Sequence, residues 1–234
     1  MFERWVSARA GNGSPVYWYS EGTVTEYPSG KVLARMEGFD TARLWRPDPK
    51  KPEAFQLSRK IYVFRDADTG ELLREYRHRP VQSVRFPYQF ITYRLEGNQL
   101  VTWLEQGAGA TRLNLGPSRG ITARRLGQAV SFNAPLYLDV PSPIGERRTL
   151  FENYDFFIQP KRNNPREQYQ LSWLRYADRD YFTDQPTVSH MISWRVDRFE
   201  DLPASIRQYV ESEAPLWRAP PRDLDEIRRL QADP

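Results

Sequence analysis

Short segments that alternate apolar and polar residues recur along most of this chain, and turn residues separate them every ~8–12 residues. About ten such segments favour an antiparallel sandwich or barrel, because a parallel sheet would need helices between its strands. We therefore predict an all-β fold, an antiparallel β-barrel or sandwich in which residues 1–234 form one domain. One or two C-terminal helices are expected at about 201–212 and 222–231, where apolar residues recur at helical spacing.

The clearest local prediction is a hairpin in which residues 55–64 form one strand and residues 72–77 run back beside it. An Asp- and Gly-containing turn at 66–71 separates the two segments. Residues 107–127 are rich in Gly, Arg and small side chains, which predicts a long mobile connection or lid. Residues 161–165 are predicted to form a loop between two later strands.

Composition limits the chemistry that such a barrel can perform. The chain has no Cys and only two His, so a thiol nucleophile is impossible and a multi-histidine metal cage is disfavoured. Its 32 aromatic and 29 Arg residues predict an aromatic-walled pocket whose polar groups are Arg, Tyr, Asp, Glu and one His. No dinucleotide or phosphate-loop fingerprint is present, so we expect no nucleotide, flavin or other cofactor and no metal.

Charge and hydropathy bear on the partners. The net charge of +4 is small and well mixed, whereas nucleic-acid binders usually concentrate positive charge on one face. No run approaches the ~20 apolar residues of a membrane span, and the N-terminus does not resemble a secretory signal. We expect a cytoplasmic protein that can form a homodimer and that binds neither nucleic acid nor a membrane.

A series of sequence blocks resembles a family of bacterial and fungal proteins, the domain-of-unknown-function family numbered eighteen thirty-eight. The blocks follow in the family's order and cover most of the chain: Tyr17-Trp18-Tyr19-Ser20-Glu21-Gly22, Met36-Glu37-Gly38-Phe39, Leu57-Ser58-Arg59-Lys60, Asp68-Thr69-Gly70-Glu71, Tyr154-Asp155-Phe156-Phe157, Ser172-Trp173-Leu174-Arg175 and Phe199-Glu200-Asp201-Leu202-Pro203. The chain differs after Tyr76, where Arg77-His78-Arg79-Pro80 replaces the family's Asn-Pro-Trp-Thr-Gly stretch, and it lacks the export signal that members often carry. The resemblance implies a calycin-like barrel and brings no agreed activity.

Four residues are the predicted catalytic groups. His190 lies among apolar strand residues and has an ordinary pKa near neutrality, so it is either a general base or a core His bonded to the backbone. Arg175 shares a strand face with Trp173; it either stabilises a developing oxyanion or stacks on Trp173 and pairs with an acid to close one barrel end. Glu37 and Tyr19 complete the set as a proton shuttle and a hydrogen-bond donor.

Aromatic residues in the strands are expected to hold the substrate. An acid embedded in apolar sequence either faces solvent or has a partner, because its unpaired burial is costly. On this basis the predicted substrate-binding residues are Tyr17, Trp18, Trp103, Asp139, Tyr154, Trp173 and Trp194.

Three functions fit these features. The first is a cofactor-independent acid/base enzyme, a lyase, isomerase or cyclase, acting on an apolar aromatic, terpenoid or polyketide-like molecule in the barrel. The second is a non-catalytic carrier of a hydrophobic ligand, since medium-sized barrels can hold one. The third is an interaction protein that uses a basic loop at 119–125. We favour the enzyme, because several ionisable residues fall within apolar strands.

Overall fold

The computed structural model of the chain describes residues 1–108, 111–141, 147–160 and 167–232. Its strands are β1 Val16–Glu26, β2 Val32–Trp45, β3 Glu53–Arg65, β4 Glu75–Tyr76, β5 Arg79–Pro80, β6 Val84–Glu96, β7 Gln99–Ala108, β8 Thr111–Leu126, β9 Ala129–Pro141, β10 Arg147–Pro160, β11 Glu167–Ala177 and β12 Thr187–Val196. The α-helices are α1 Phe2–Ala10, α2 Ala204–Glu213 and α3 Leu224–Ala232, with short 3₁₀ turns at Phe199–Asp201 and Pro215–Arg218.

Ten of these strands close into one antiparallel barrel in the order β1-β12-β11-β10-β9-β8-β7-β6-β3-β2. Strands that follow one another in the barrel pair as a meander, and β1 closes it by pairing with β12 from Tyr17↔Val196 to Glu26↔Thr187. The prediction of an all-β antiparallel barrel is therefore confirmed.

Strand alternation separates the lumen from the outer face. In β1, Trp18 and Ser20 point inward, whereas Tyr17 and Tyr19 belong to a separate apolar cluster outside the barrel. Gly22 lies on the inward side of the same strand. A Cβ atom there would come within 1.9 Å of the backbone oxygen of His190, and one at Gly38 within 2.1 Å of the oxygen of Ile61. Both positions therefore require glycine, because a neighbouring strand occupies the space of a side chain.

Helix α1 packs into one end of the barrel, and it was not predicted from the sequence. Its buried residues include Trp5, which contacts the rings of Phe132 and Phe156 at centroid distances of 5.1 and 5.0 Å. The Arg195 guanidinium donates to the backbone oxygens of Ser7 and Ala8 at 2.7 and 3.0 Å, which satisfies carbonyls at the end of the helix. The helix is thus part of the lumen wall.

The C-terminal helices cover the outer face of β1, β2 and β3. Ile206 and Val210 of α2 pack there, and the Trp217 indole donates to the backbone oxygen of Lys60 at 2.8 Å. Farther along, the buried Arg59 guanidinium pairs with Glu226 of α3 at 2.6 Å. Helices α2 and α3 occupy the places where the sequence predicted helices at about 201–212 and 222–231. Among the described residues, no helix combines the length and apolarity required to cross a membrane.

Two local predictions need correction. The predicted strand and the turn at 66–71 are present, but the returning segment pairs with β3 only around Arg65↔Leu72 before the small β4–β5 hairpin begins, and the long partners of β3 are β2 and β6. Residues 111–126 form strand β8 rather than a mobile connection, and the basic segment within 119–125 is part of that strand. In both places the backbone pairing needed to close the barrel overrides weak local propensity. The loop predicted at 161–165 lies outside the described residues.

Candidate functional site

A cavity lies inside the barrel between α1 and strands β2, β3 and β6 to β10. Its empty volume is about 750 Å³ when the part that is open to solvent is included. Seven of the fourteen residues of the wall are apolar: Trp5, Ile91, Leu104, Ile121, Ala134, Leu136 and Phe156. The polar and charged residues of the wall are Arg9, Asp40, Lys60, Gln89, Tyr93, Thr102 and Tyr154.

Asp40 and Lys60 are the central charged pair of this wall. They are direct cross-strand partners of β2 and β3, so both side chains project into the lumen at one level. In the described part of the chain, neither makes an ion pair within 4.0 Å, and the Oδ1 atom of Asp40 has no hydrogen-bond partner although it is buried. The Lys60 ammonium lies 5.7 Å from the ring centroids of both Tyr62 and Trp173. The two charged groups therefore remain available to a molecule in the cavity.

Arg9 brings a second cation to the cavity from α1. Burial alone would lower the pKa of Arg9, but the nearby Tyr93, Asp40 and Tyr154 act in the opposite direction, and the net shift is upward. Its guanidinium lies 4.8 Å from the ring centroid of Phe156. Arg9 thus remains a fixed cation at the boundary between the polar and apolar walls.

The phenols around the cavity are hydrogen-bond donors rather than bases. Burial raises the pKa of Tyr62 well above its usual value, and the Asp40 charge adds to the rise. Burial also raises the pKa of Tyr154, whose hydroxyl donates to Glu152. The pKa of Tyr93 is raised by burial against the opposing effect of Arg9. All three hydroxyls therefore keep their protons near neutral pH.

A chain of amide side chains fixes the polar wall from behind. The Tyr93 hydroxyl donates to Gln56 Oε1 at 2.5 Å, and Gln56 Nε2 donates to Ser58 Oγ at 3.1 Å. Gln89 Nε2 donates to Gln106 Oε1 at 2.7 Å. Because these buried partners satisfy one another, the ring of Tyr93 is held in one position.

Trp18, Tyr154, Trp173 and Arg175 are the predicted site residues that point into the barrel. Of these, only Tyr154 lines the cavity; its ring stacks on Trp173 with centroids 6.0 Å apart. Trp18 packs 5.5 Å from Phe156 and donates its indole N–H to the backbone oxygen of Arg9 at 3.2 Å. Trp18 and Trp173 therefore support the cavity wall from behind.

Arg175 is held by an ion pair that closes the other end of the barrel. Its Nη2 atom lies 2.9 and 3.0 Å from the two carboxylate oxygens of Asp180, which also accepts from Thr187 Oγ1 at 2.8 Å. The Arg175 guanidinium lies 5.6 Å from the centroid of Trp173. Of the two interpretations of Arg175, the structure supports the one in which it stacks on Trp173 and pairs with an acid.

Glu37 and Tyr19 lie on the outer face of the barrel, contrary to the expectation of a site in the lumen. The Tyr19 hydroxyl donates to Glu21 at 3.0 Å, and Glu37 accepts from Arg65 at 2.8 Å and from Ser205 of α2 at 3.1 Å. Burial, with Glu37 as the next cause, raises the pKa of Tyr19. These contacts join α2 to the barrel.

The remaining predicted residues also point outward. Tyr17 donates to the backbone oxygen of Arg218 at 2.9 Å, and Trp194 stacks on Tyr19 outside the barrel. Trp103 is on the outer side of β7, under the Arg94 guanidinium at 5.0 Å. Asp139 is exposed on β9. These four side chains therefore do not reach the cavity.

His190 is exposed on the outer face of β12, and its Nε2 atom lies 3.2 Å from Ser172 Oγ. Its neighbours along the strand, Ser189 and Met191, are the residues that point into the lumen. The structure thus places His190 neither in the core nor in the cavity. The face of β12 that points into the barrel is therefore the opposite of the one assumed from the sequence.

The sequence interpretation missed Arg9, Asp40, Lys60 and Tyr93. One signal was present, because alternation places Lys60 on one face with Tyr62 and Phe64, in a chain that has only five lysines. Arg9 could not be identified without α1. In the described ranges, no three His, Cys, Asp or Glu side chains form a group that could hold a metal ion.

No protein-family model and no curated protein matches this chain. The resemblance drawn from the sequence blocks therefore stays a prediction, and function must be argued from the cavity itself.

Proposed function

We propose that this protein is a cofactor-independent acid/base enzyme, a lyase, isomerase or cyclase, that acts on an apolar aromatic, terpenoid or polyketide-like molecule in the barrel. The observation that carries the proposal is the buried Asp40 oxygen that has no hydrogen-bond partner and belongs to a residue of the cavity wall. A buried polar atom without a partner is costly to maintain, and a catalytic role is one of the physical reasons for which such an atom is kept.

Asp40 is the proposed base. In its carboxylate form, Oδ1 would accept a proton from a carbon next to a substrate carbonyl, and the electron pair of the broken C–H bond would move onto the carbonyl oxygen. The same proton would return to another carbon in an isomerisation, or to the leaving group in an elimination. Both outcomes balance without an external oxidant or reductant.

Arg9 is the proposed stabiliser of the developing oxyanion, and Lys60 is a second cation on the same wall. Both line the same cavity as Asp40, and fixed cations in a site with apolar walls stabilise developing charge more strongly than they would in water. Tyr62 keeps its proton and lies beside Asp40, so it can position the carboxylate. The apolar wall formed by Trp5, Leu104 and Phe156 would hold the carbon skeleton.

A carrier of a hydrophobic ligand is the second candidate function. Its support is that the hydroxyls of Tyr93 and Tyr154 already donate within the protein, to Gln56 and Glu152. A polar wall whose donors are occupied could orient a ligand without any chemical step. The two functions differ in whether the bound molecule is changed.

Replacing Asp40 with Asn is expected to reduce turnover about 10²–10⁴-fold, because an amide of nearly the same shape cannot accept the proton. The measurement is mass spectrometry of a panel of aromatic, terpenoid, steroid and polyketide compounds incubated with wild-type protein, with Asp40→Asn and with heat-denatured protein. Quenching of tryptophan fluorescence by the same compounds should show that the variant still binds them.

His190→Ala is the matched control, since this side chain lies outside the barrel and its loss should leave turnover unchanged. Equal turnover by wild type and Asp40→Asn would show that Asp40 is not the base. A compound that is retained by the wild-type protein without chemical change would favour the carrier.

A further inference from the structure

The charged residues inside the barrel are unevenly placed. At the end closed by the 178–186 segment, Arg175 pairs with Asp180, and Glu152 is the next acid that affects the Arg175 pKa. Glu152 also accepts the proton of the Tyr154 hydroxyl. Both of these acids therefore already have partners within the protein.

The cavity wall itself carries two cations and one acid. Its charged residues are Arg9, Lys60 and Asp40, and no other Asp or Glu lines it within the described part of the chain. Lys60 has no carboxylate within 4.0 Å there, and two aromatic rings flank its ammonium. A half-buried ammonium without an anionic partner has no compensating negative charge, and an anion that enters the cavity would supply one.

We propose that the ligand of this cavity is an aromatic or polycyclic acid whose carboxylate pairs with Lys60, which leaves Arg9 to stabilise the developing oxyanion. Its rings would lie against the apolar wall of Trp5, Ile91 and Phe156, and Asp40 would face a carbon or hydroxyl of the ring system. A single carboxylate fits because the excess on the wall is one positive charge.

This inference rests on the proposed function, because it names the substrate class of the same site. It adds the requirement that the substrate carries a negative charge. Asp40-dependent chemistry alone would also accept a neutral ketone or terpenoid. The affinity difference between an acid and its neutral analogue measures that requirement directly.

The probe is 2-naphthoic acid, compared with 2-naphthamide, which has the same rings and nearly the same shape without the charge. Wild-type protein is expected to bind the acid about 10–100-fold more tightly than the amide, as a charge-assisted contact provides. In Lys60→Met, which keeps the apolar stem, the acid should lose that preference and the amide should bind as before. Affinities can be measured by calorimetry and by quenching of tryptophan fluorescence.

Lys31→Met is the control, because Lys31 is exposed beside a surface turn and its loss should change neither affinity. Equal affinity of wild type for acid and amide, or an unchanged preference in Lys60→Met, would overturn the inference; Asp40-dependent turnover of a neutral compound would still stand. Binding of neither probe would also overturn it. Preference for the acid without Asp40-dependent turnover would support the inference and refute the enzyme.

Discussion

Replacing Asp180 with Ala is expected to lower the free energy of unfolding by about 3–5 kcal/mol, because the Arg175 charge would remain buried without its partner. The exposed fractions of the Arg175 and Asp180 side chains are only 7% and 0%. Burial alone would lower the Arg175 pKa, but Asp180, Tyr181 and Glu152 reverse the direction, so the arginine stays charged. At roughly 2–4 °C per kcal/mol for a chain of this size, Tm should fall by about 6–20 °C.

Asp184→Ala is a matched control within the same connecting segment. Asp184 also pairs with an arginine, Arg79, but the two side chains are 62% and 60% exposed. Exposed pairs contribute little, so this variant should lose no more than about 1 kcal/mol. Chemical denaturation of both variants provides the comparison, and similar losses would show that the Arg175–Asp180 pair has no special role. The double variant Asp180→Ala/Arg175→Met should regain part of the free energy of unfolding that Asp180→Ala loses.

Replacing Gly22 with Ala is expected to destabilise the barrel by about 3 kcal/mol or more. Insertion of a methyl group into a packed interior typically costs about 1–3 kcal/mol when side chains can move aside. Here the new carbon would lie 1.9 Å from the His190 oxygen and 2.9 Å from the Met191 Cα, both backbone atoms of the strand that closes the barrel. The clash can therefore be relieved only if β1 and β12 separate, which weakens the backbone hydrogen bonds between these two strands.

The neighbouring substitution Thr23→Ala tests whether any change in β1 would have the same effect. Thr23 follows Gly22 directly and projects from the outer face, so its loss should remain near the ±0.5 kcal/mol typical of surface sites. Thermal unfolding followed by circular dichroism compares the two. A Gly22→Ala protein with an unchanged Tm would show that the strands can move apart there at little cost.

Alternation and turns in the sequence were sufficient to predict the barrel, because a period of two is a property of the chain itself. They were not sufficient to predict which side of each strand faces inward. In β12, the side that carries His190, Ile192 and Trp194 is outside, and the side that carries Ser189, Met191 and Ser193 is inside. Aromatic residues did not distinguish the sides, since the C-terminal helices bury a second apolar cluster outside the barrel.

The cavity depends on contacts that are distant in the sequence. The proposed role of Asp40 depends on two residues in the same cavity wall: Lys60 on the next strand and Arg9 on a helix that packs into the barrel end. Only the pairing register and the position of α1 bring these three residues together. Residues 111–126 show the converse case, in which a segment with weak strand propensity is a strand because its neighbours β7 and β9 pair with it.

The pairing of β1 with β12 also constrains how the chain reaches this fold. Ser20 and Ser193 share a hydrogen bond although they are 173 residues apart in the sequence, so this ladder has a very high contact order. During synthesis the lumen residues of β1 emerge long before β12 exists, and their apolar surface remains uncovered until the last strand is made. We therefore expect slow, late barrel closure and aggregation of chains that stop before Thr187.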